Sequence, residues 1–133
     1  TTEIETEELK DWILELADKG PGIVIVTSVT DHKAKDKTSV VAYNKNGNRF
    51  WRVSCDYLPA QYPGTGDSFA SVVVGSLLQG DSLPIAIDRA VQFISIGIRA
   101  TFGYEYNPSE GIVLERILKQ LEMPVQMSSY ELL

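Results

Sequence analysis

The residues whose types and spacing suit chemistry lie together in Pro63-Gly64-Thr65-Gly66-Asp67-Ser68-Phe69. Two glycines two residues apart precede an apolar run, Phe69-Ala70-Ser71-Val72-Val73-Val74-Gly75-Ser76-Leu77-Leu78, so a glycine-rich loop feeds a helix of about residues 67–79. Glycine has no Cβ, which lets its backbone approach a ligand closely and take a positive φ. The first N–H groups of a helix have no internal partner, and with the helix dipole behind them they form an anion site. The N–H groups of Gly64, Thr65 and Gly66 are the candidates for that role. Asp67 falls beside them in the first turn. A carboxylate there repels phosphate, but it suits a base that takes the proton from a hydroxyl attacking phosphate. The plainer alternative is a tight turn in which Asp67 is only a first-turn charge favoured by the dipole.

A second group of candidates follows Gly22-Ile23-Val24-Ile25-Val26-Thr27, a continuous β-branched run. Such a run suits a strand buried on both faces, as in a parallel sheet. Thr27 and Ser28 stand at its carboxyl end, where open α/β sheets bind ligands. Their hydroxyls either donate to a phosphate or cap the strand and start a turn. The polar stretch 30–37 reads as a loop. Within it His32, the sole histidine, sits among lysines and reads as a solvated residue rather than a base or ligand. Lys33 and Lys35 reach a phosphate only if that loop folds over the site. A metal site needs several convergent ligands, and no His, Cys or carboxylate cluster has that spacing, so no metal residue is assigned.

The elements that must position these groups follow from periodicity. Residues 6–19 predict a helix, with Leu9, Trp12, Ile13, Leu16 and Ala17 as one apolar stripe, Thr6 as N-cap, and Lys19-Gly20 as the stop. Ser39–Tyr43 and Arg49–Val53 are strand-like runs joined by Asn44-Lys45-Asn46-Gly47-Asn48, a strong hairpin signal. Alternation of Phe50 and Arg52 with Trp51 and Val53 predicts one covered and one exposed face. Residues 54–62, interrupted by Pro59, read as a loop. The helix after the glycine loop is apolar nearly all round and is expected to be deeply buried, ending at Gly80-Asp81. Ser82 caps a second helix that reaches about Thr101, and Gly97 within it marks a close approach. Asn107-Pro108-Ser109-Glu110 starts a third, with Ile112, Val113, Ile117, Leu118 and Leu121 as its stripe and Pro124 as its end. The tail to Leu133 carries no readable signal. This order predicts a single α/β domain over residues 1–133. The expected architecture is a truncated three-layer αβα sandwich with a mostly parallel sheet and one antiparallel hairpin.

The 133 residues carry a net charge of −6 and are 44% hydrophobic. That is enough apolar material for a core. An acidic chain with no basic cluster argues against nucleic acid or an anionic membrane as partner, so any phosphate site must be local and built from backbone N–H groups. Cys55 is the single cysteine and cannot form an internal disulfide, which fits a reducing cytoplasm. No stretch reaches the length of a transmembrane helix.

Three stretches carry a family resemblance: Gly64-Thr65-Gly66-Asp67-Ser68-Phe69-Ala70-Ser71, Leu77-Leu78-Gln79-Gly80 and Val24-Ile25-Val26-Thr27-Ser28. Over roughly residues 5–122 the chain resembles the C-terminal part of the ribokinase superfamily, and within it the pyridoxal/pyridoxamine (vitamin B6) kinases. The resemblance implies a ribokinase-like fold and ATP with Mg²⁺ as cofactors. It implies Asp67 as the base toward the vitamin's hydroxymethyl group, and Gly64, Thr65 and Gly66 as the anion hole. Thr27 and Ser28 would contact nucleotide phosphate, and Tyr57 and Leu58 would lie near the adenine. It also implies an upstream substrate-binding half, which matches an opening on Thr1-Thr2-Glu3 rather than Met. This half alone is then expected to be inactive, and to associate with the missing half or as a homodimer, since a truncated sheet exposes an edge. Hydroxymethylpyrimidine and sugar kinases share this style of loop, and a non-catalytic nucleotide-binding module or a purely structural fragment are the alternatives from other classes. Asp67 separates them, because a binder has no need of a carboxylate beside a phosphate.

Overall fold

Leu9, Ile13 and Ala17 recur every four residues, and in the computed structural model they form the buried stripe of α1 (Thr6–Asp18). Residues 5–31, 34–56, 62–102, 111–112, 114–123 and 130–133 are described. His32, Lys33, Tyr57, Leu58, Val113, Pro124 and the expected helix start at 107–110 lie outside them, as does the side chain of Lys35. The chain falls into two units, Thr1–Tyr57 with Ser129–Leu133, and Leu58–Ser128.

In the first unit α1 lies against a sheet of β1 (Ile23–Asp31), β2 (Ala34–Asn44), β3 (Arg49–Asp56) and β4 (Tyr130–Leu132), packing on residues of the first three strands. The strands are ordered β1-β2-β3-β4, and each described pairing is antiparallel. The α/β class is as expected, but the expected parallel pairing is not found among the described strands. Connection length explains this. Residues 32–33 join β1 to β2 and residues 45–48 join β2 to β3, whereas a parallel neighbour needs a crossover of a dozen residues or more. The expected loop at 30–37 is therefore mostly strand, and β3 runs on through Cys55.

Val41, Tyr43 and Phe50 share the sheet face under Leu9 and Ile13, with the Tyr43 and Phe50 rings 4.6 Å apart. Full burial of a side chain such as Ile13 is worth about 1.5–3 kcal/mol. Val40, Ala42 and Val53 on the opposite face are buried too, so the sheet is not exposed on one side as the β3 alternation suggested. Trp12 and Leu16 are 48% and 47% exposed, because the sheet covers only the narrow i, i+4, i+8 stripe of α1. The N-cap is Glu5, not Thr6. The Thr6 hydroxyl instead accepts a hydrogen bond from Arg52 Nη2 at 3.1 Å, tying the first turn of α1 to β3.

The second unit is helical: α2 (Thr65–Leu78), α3 (Leu83–Phe102), α4 (Leu114–Ile117) and a 3₁₀ turn, Leu118–Glu122. α2 ends as predicted at Gly80, whose N–H donates to Leu77 O while Asp81 N–H donates to Ser76 O, a Schellman pair. The Ser82 carbonyl accepts the first bond of α3, from Ala86 N–H. Expected deep burial of α2 is not observed: Val73 and Ser76 are buried, while Val74 is 55% and Leu78 82% exposed. Phe93, Ile112 and Ile117 form a core beside Gly97. A β-carbon there would stand 2.7 Å from Ile117 Cδ1, so the predicted close approach at Gly97 is real. Among the described residues no helix is long and apolar enough to cross a membrane.

Candidate active site at the start of α2

The glycine loop folds as a turn, Pro63-Gly64, that opens directly into α2. Gly64 is the N-cap and holds φ 83°, ψ −1°, a left-handed conformation that explains its glycine. The first helical bond of α2 runs from Ser68 N–H to the Gly64 carbonyl at 3.0 Å. The N–H groups of Thr65, Gly66 and Asp67 precede it, and among the described residues no side chain caps the helix. α2 therefore presents bare N–H donors at the positive end of a 14-residue dipole, the arrangement that attracts an anion.

Gly66 has no positive φ to explain it, and nothing among the described residues stands within 4 Å of where its β-carbon would be. Neither backbone conformation nor packing among the described residues requires a glycine there. Open space over a bare helix start is what a group approaching the backbone needs. The Thr65 hydroxyl turns back to donate to the Tyr62 carbonyl at 3.2 Å, so the donor Thr65 has left for an anion is its N–H. Asp67 is exposed in the first turn, and its backbone carbonyl accepts a bond from Ser71 Oγ at 2.8 Å. One feature carries no local signature in the sequence: Gly111, at φ +81°, lies against the Pro63 carbonyl at the front of this loop. A glycine followed by an isoleucine predicts nothing about a partner nearly fifty residues earlier.

The far end of α2 is braced separately. Ser76 Oγ donates to the Asp81 carboxylate, Arg89 Nη2 lies 3.4 Å from the same carboxylate, and Arg89 Nη1 donates to the carbonyls of Leu121 and Met123 at 3.1 Å each. The acids and bases of this brace satisfy one another, so it reads as support for α2 and α3 rather than as chemistry.

Thr27 and Ser28 belong to the first unit and the glycine loop to the second. They do not end β1, as expected, but interrupt it. The register slips between Val26↔Val41 and Val29↔Ser39, a bulge that leaves both residues out of the ladder. Ser28 sits at φ 59°, left-handed backbone for a residue other than glycine, and both residues are exposed. Bulges and strained residues of this kind gather where a side chain must be aimed. The strand resumes because Val29 and Thr30 find partners in β2, with the Thr38 and Ser39 hydroxyls donating to Val29 O. Among the described residues no group of three His, Cys, Asp or Glu side chains converges.

An α/β chain whose glycine loop starts a bare-ended helix with an aspartate in its first turn agrees with the ribokinase-like fold that the sequence resembles. Comparison with known proteins narrows the class. A family model described as phosphomethylpyrimidine kinase matches residues 2–111. A candidate phosphomethylpyrimidine kinase from Bacteroides thetaiotaomicron is similar over 98% of this chain and 44% of its own, at 63% identity and TM-score 0.92. The same protein in a crystal form with pyridoxal matches at 62% identity and TM-score 0.91, over 99% of this chain and 46% of its own. Pyridoxal kinase from Leishmania donovani, in complex with ADP and pyridoxine, shares the fold at 19% identity and TM-score 0.77, over 96% of this chain and 44% of its own. A search of curated proteins finds no match. The chain belongs to the phosphomethylpyrimidine kinase family, and it spans less than half the length of these relatives.

Proposed function

We propose that this chain is the nucleotide-phosphate half of an ATP-dependent kinase that phosphorylates the hydroxymethyl group of a B6 vitamer. The observation that carries the proposal is the start of α2, where bare N–H groups, an unfilled space over Gly66 and an exposed Asp67 coincide. In-line transfer needs positioning and charge stabilisation more than covalent chemistry. The N–H groups of Gly64, Thr65 and Gly66 hold the charge on the phosphate oxygens. The acceptor hydroxyl oxygen forms its bond to the γ-phosphorus as the β,γ-bridging P–O bond breaks, ADP leaves, and the hydroxyl proton passes to the Asp67 carboxylate. A loose transition state lets that proton leave late, so a strong base is not needed. Thr27 and Ser28 add hydroxyl donors to the nucleotide phosphates, and Tyr57 and Leu58 border the adenine. Mg²⁺ accompanies ATP in this reading, with no ligand assigned to it.

A pyridoxal-type acceptor is supported by the pyridoxal in a relative 62% identical to this chain. The family model, described as phosphomethylpyrimidine kinase, supports a second reading in which the acceptor is a related pyrimidine, hydroxymethylpyrimidine. The acceptor pocket is supplied by the portion of the protein that the longer relatives carry beyond this match, or by a second copy. β1 is at the edge of the described sheet and offers the strand edge for either. The reaction belongs in the cytoplasm, where a lone cysteine stays reduced.

The test is ATP-dependent phosphorylation of pyridoxal, pyridoxine, pyridoxamine and hydroxymethylpyrimidine by the whole protein. Turnover of a vitamer with a higher kcat/KM than the pyrimidine supports the first reading. The reverse order supports the second. Binding of ATP with no acceptor turned over leaves only a nucleotide-binding module.

A further inference from the structure

We propose that Gly111 is a positioning residue for the phosphate loop: it sets the tilt of the Pro63–Gly64 peptide and so the aim of the Gly64 N–H. The inference rests on the kinase reading above. An ideal β-carbon at Gly111 would stand 2.8 Å from the Pro63 carbonyl oxygen and 3.9 Å from its carbon. Both are backbone atoms, so no rotamer change makes room. Gly111 itself holds φ +81°, where a side chain is already disfavoured.

The carbonyl that Gly111 backs onto belongs to the same peptide unit as the Gly64 N–H. That unit is rigid, and no peptide bond in the described chain is cis. In a trans peptide the C=O and N–H point in opposite directions, so pressure on the Pro63 oxygen swings the Gly64 N–H at the other side of the plane. Gly111 is anchored on its C-terminal side. Ile112 is buried beside it and packs with Phe93 and Ile117 against Gly97 of α3. Pro63 and Gly64 are exposed, so the loop is the side that yields.

The experiment measures binding of AMP-PNP, a non-hydrolysable ATP analogue, to the whole protein by calorimetry, with melting temperatures alongside. Gly111→Ala adds a β-carbon and bears the full cost of the left-handed backbone. Gly111→Asn adds the same carbon but tolerates that backbone better. Both variants are expected to fold, to weaken AMP-PNP binding about fivefold or more, and to raise KM for ATP while KM for the acceptor stays within about twofold. Ile117→Val, which shortens a buried side chain of the same segment without approaching Pro63, is expected to lose stability and bind AMP-PNP as wild type does. Wild-type affinity in Gly111→Asn overturns the inference, because strain rather than the added carbon then matters. Failure of both Gly111 variants to fold while Ile117→Val folds also overturns it, making the glycine a folding requirement. If wild type itself does not bind AMP-PNP, the kinase reading falls, and the inference with it, before any variant is compared.

Discussion

Arg89 Nη2 lies 3.4 Å from the Asp81 carboxylate, and through Arg89 Nη1 that pair reaches the carbonyls of Leu121 and Met123 at the end of the 3₁₀ turn. One guanidinium thus joins the C-terminus of α2, the first half of α3 and the last described turn of the second unit. Its five donors suit this branching, which a lysine's compact charge does not reproduce. Arg89→Ala is expected to cost about 1–3 kcal/mol, since two carbonyls and a half-buried carboxylate lose their partner together. Arg89→Lys is expected to recover only part of it. Urea denaturation checks both, and a loss within experimental error for the alanine variant would show that the brace is ornamental.

Ser28 bears left-handed backbone in the bulge of β1. Ser28→Gly removes that strain and is expected to be neutral or to stabilise by up to about 1 kcal/mol, whereas β-branched Ser28→Val is expected to destabilise by about 2 kcal/mol. If the serine hydroxyl donates to nucleotide phosphate, both substitutions weaken ATP binding although they move stability in opposite directions. Thermal melts paired with nucleotide titration separate the two effects. Unchanged affinity in both variants would take Ser28 out of the site.

A methyl group at Gly97 would have to displace the ends of two buried side chains, its β-carbon position being 2.7 Å from Ile117 Cδ1 and 2.9 Å from Ile112 Cδ1. Gly97→Ala is expected to cost about 1–3 kcal/mol by overpacking. Adding Ile117→Val removes the nearer of the two methyls and should restore part of the loss. A double-mutant cycle reads this as a favourable coupling, and strict additivity would mean that the contact relaxes elsewhere.

What a single sequence discloses here divides by the range of the interaction. α1, the hairpin across Asn46-Gly47 and the ends of α2 and α3 rest on local signals, and the structure places them within a residue or two of expectation. The glycine loop was readable for the same reason, since a helix start is a local event. β4 was not, because Tyr130–Leu132 is short and its partners Trp51–Val53 lie far back in the chain. The extension of β1 past Thr27 has no local signal, because Thr30 and Asp31 are polar and owe their strand conformation to pairing with β2. Exposure failed in the same way: Val74 and Leu78 are apolar yet exposed, which no periodicity reports. Around the site, Gly64 and Asp67 announce themselves, while the bulge at Ser28 and the contact of Gly111 with Pro63 depend on tertiary neighbours.

Asp67 carries the central claim: the proposed mechanism gives it the acceptor's proton, whereas a first-turn charge that only complements the helix dipole moves none. The most direct measurement is the pair of nucleotide affinity and vitamer turnover for wild type and Asp67→Asn in the whole protein. Loss of the base is expected to lower kcat by about 10²–10⁴-fold. ATP affinity should be retained or slightly improved, since a negative charge beside the phosphates is gone. Turnover undiminished in Asp67→Asn would contradict the account, and so would a loss of ATP binding equal to the loss of turnover.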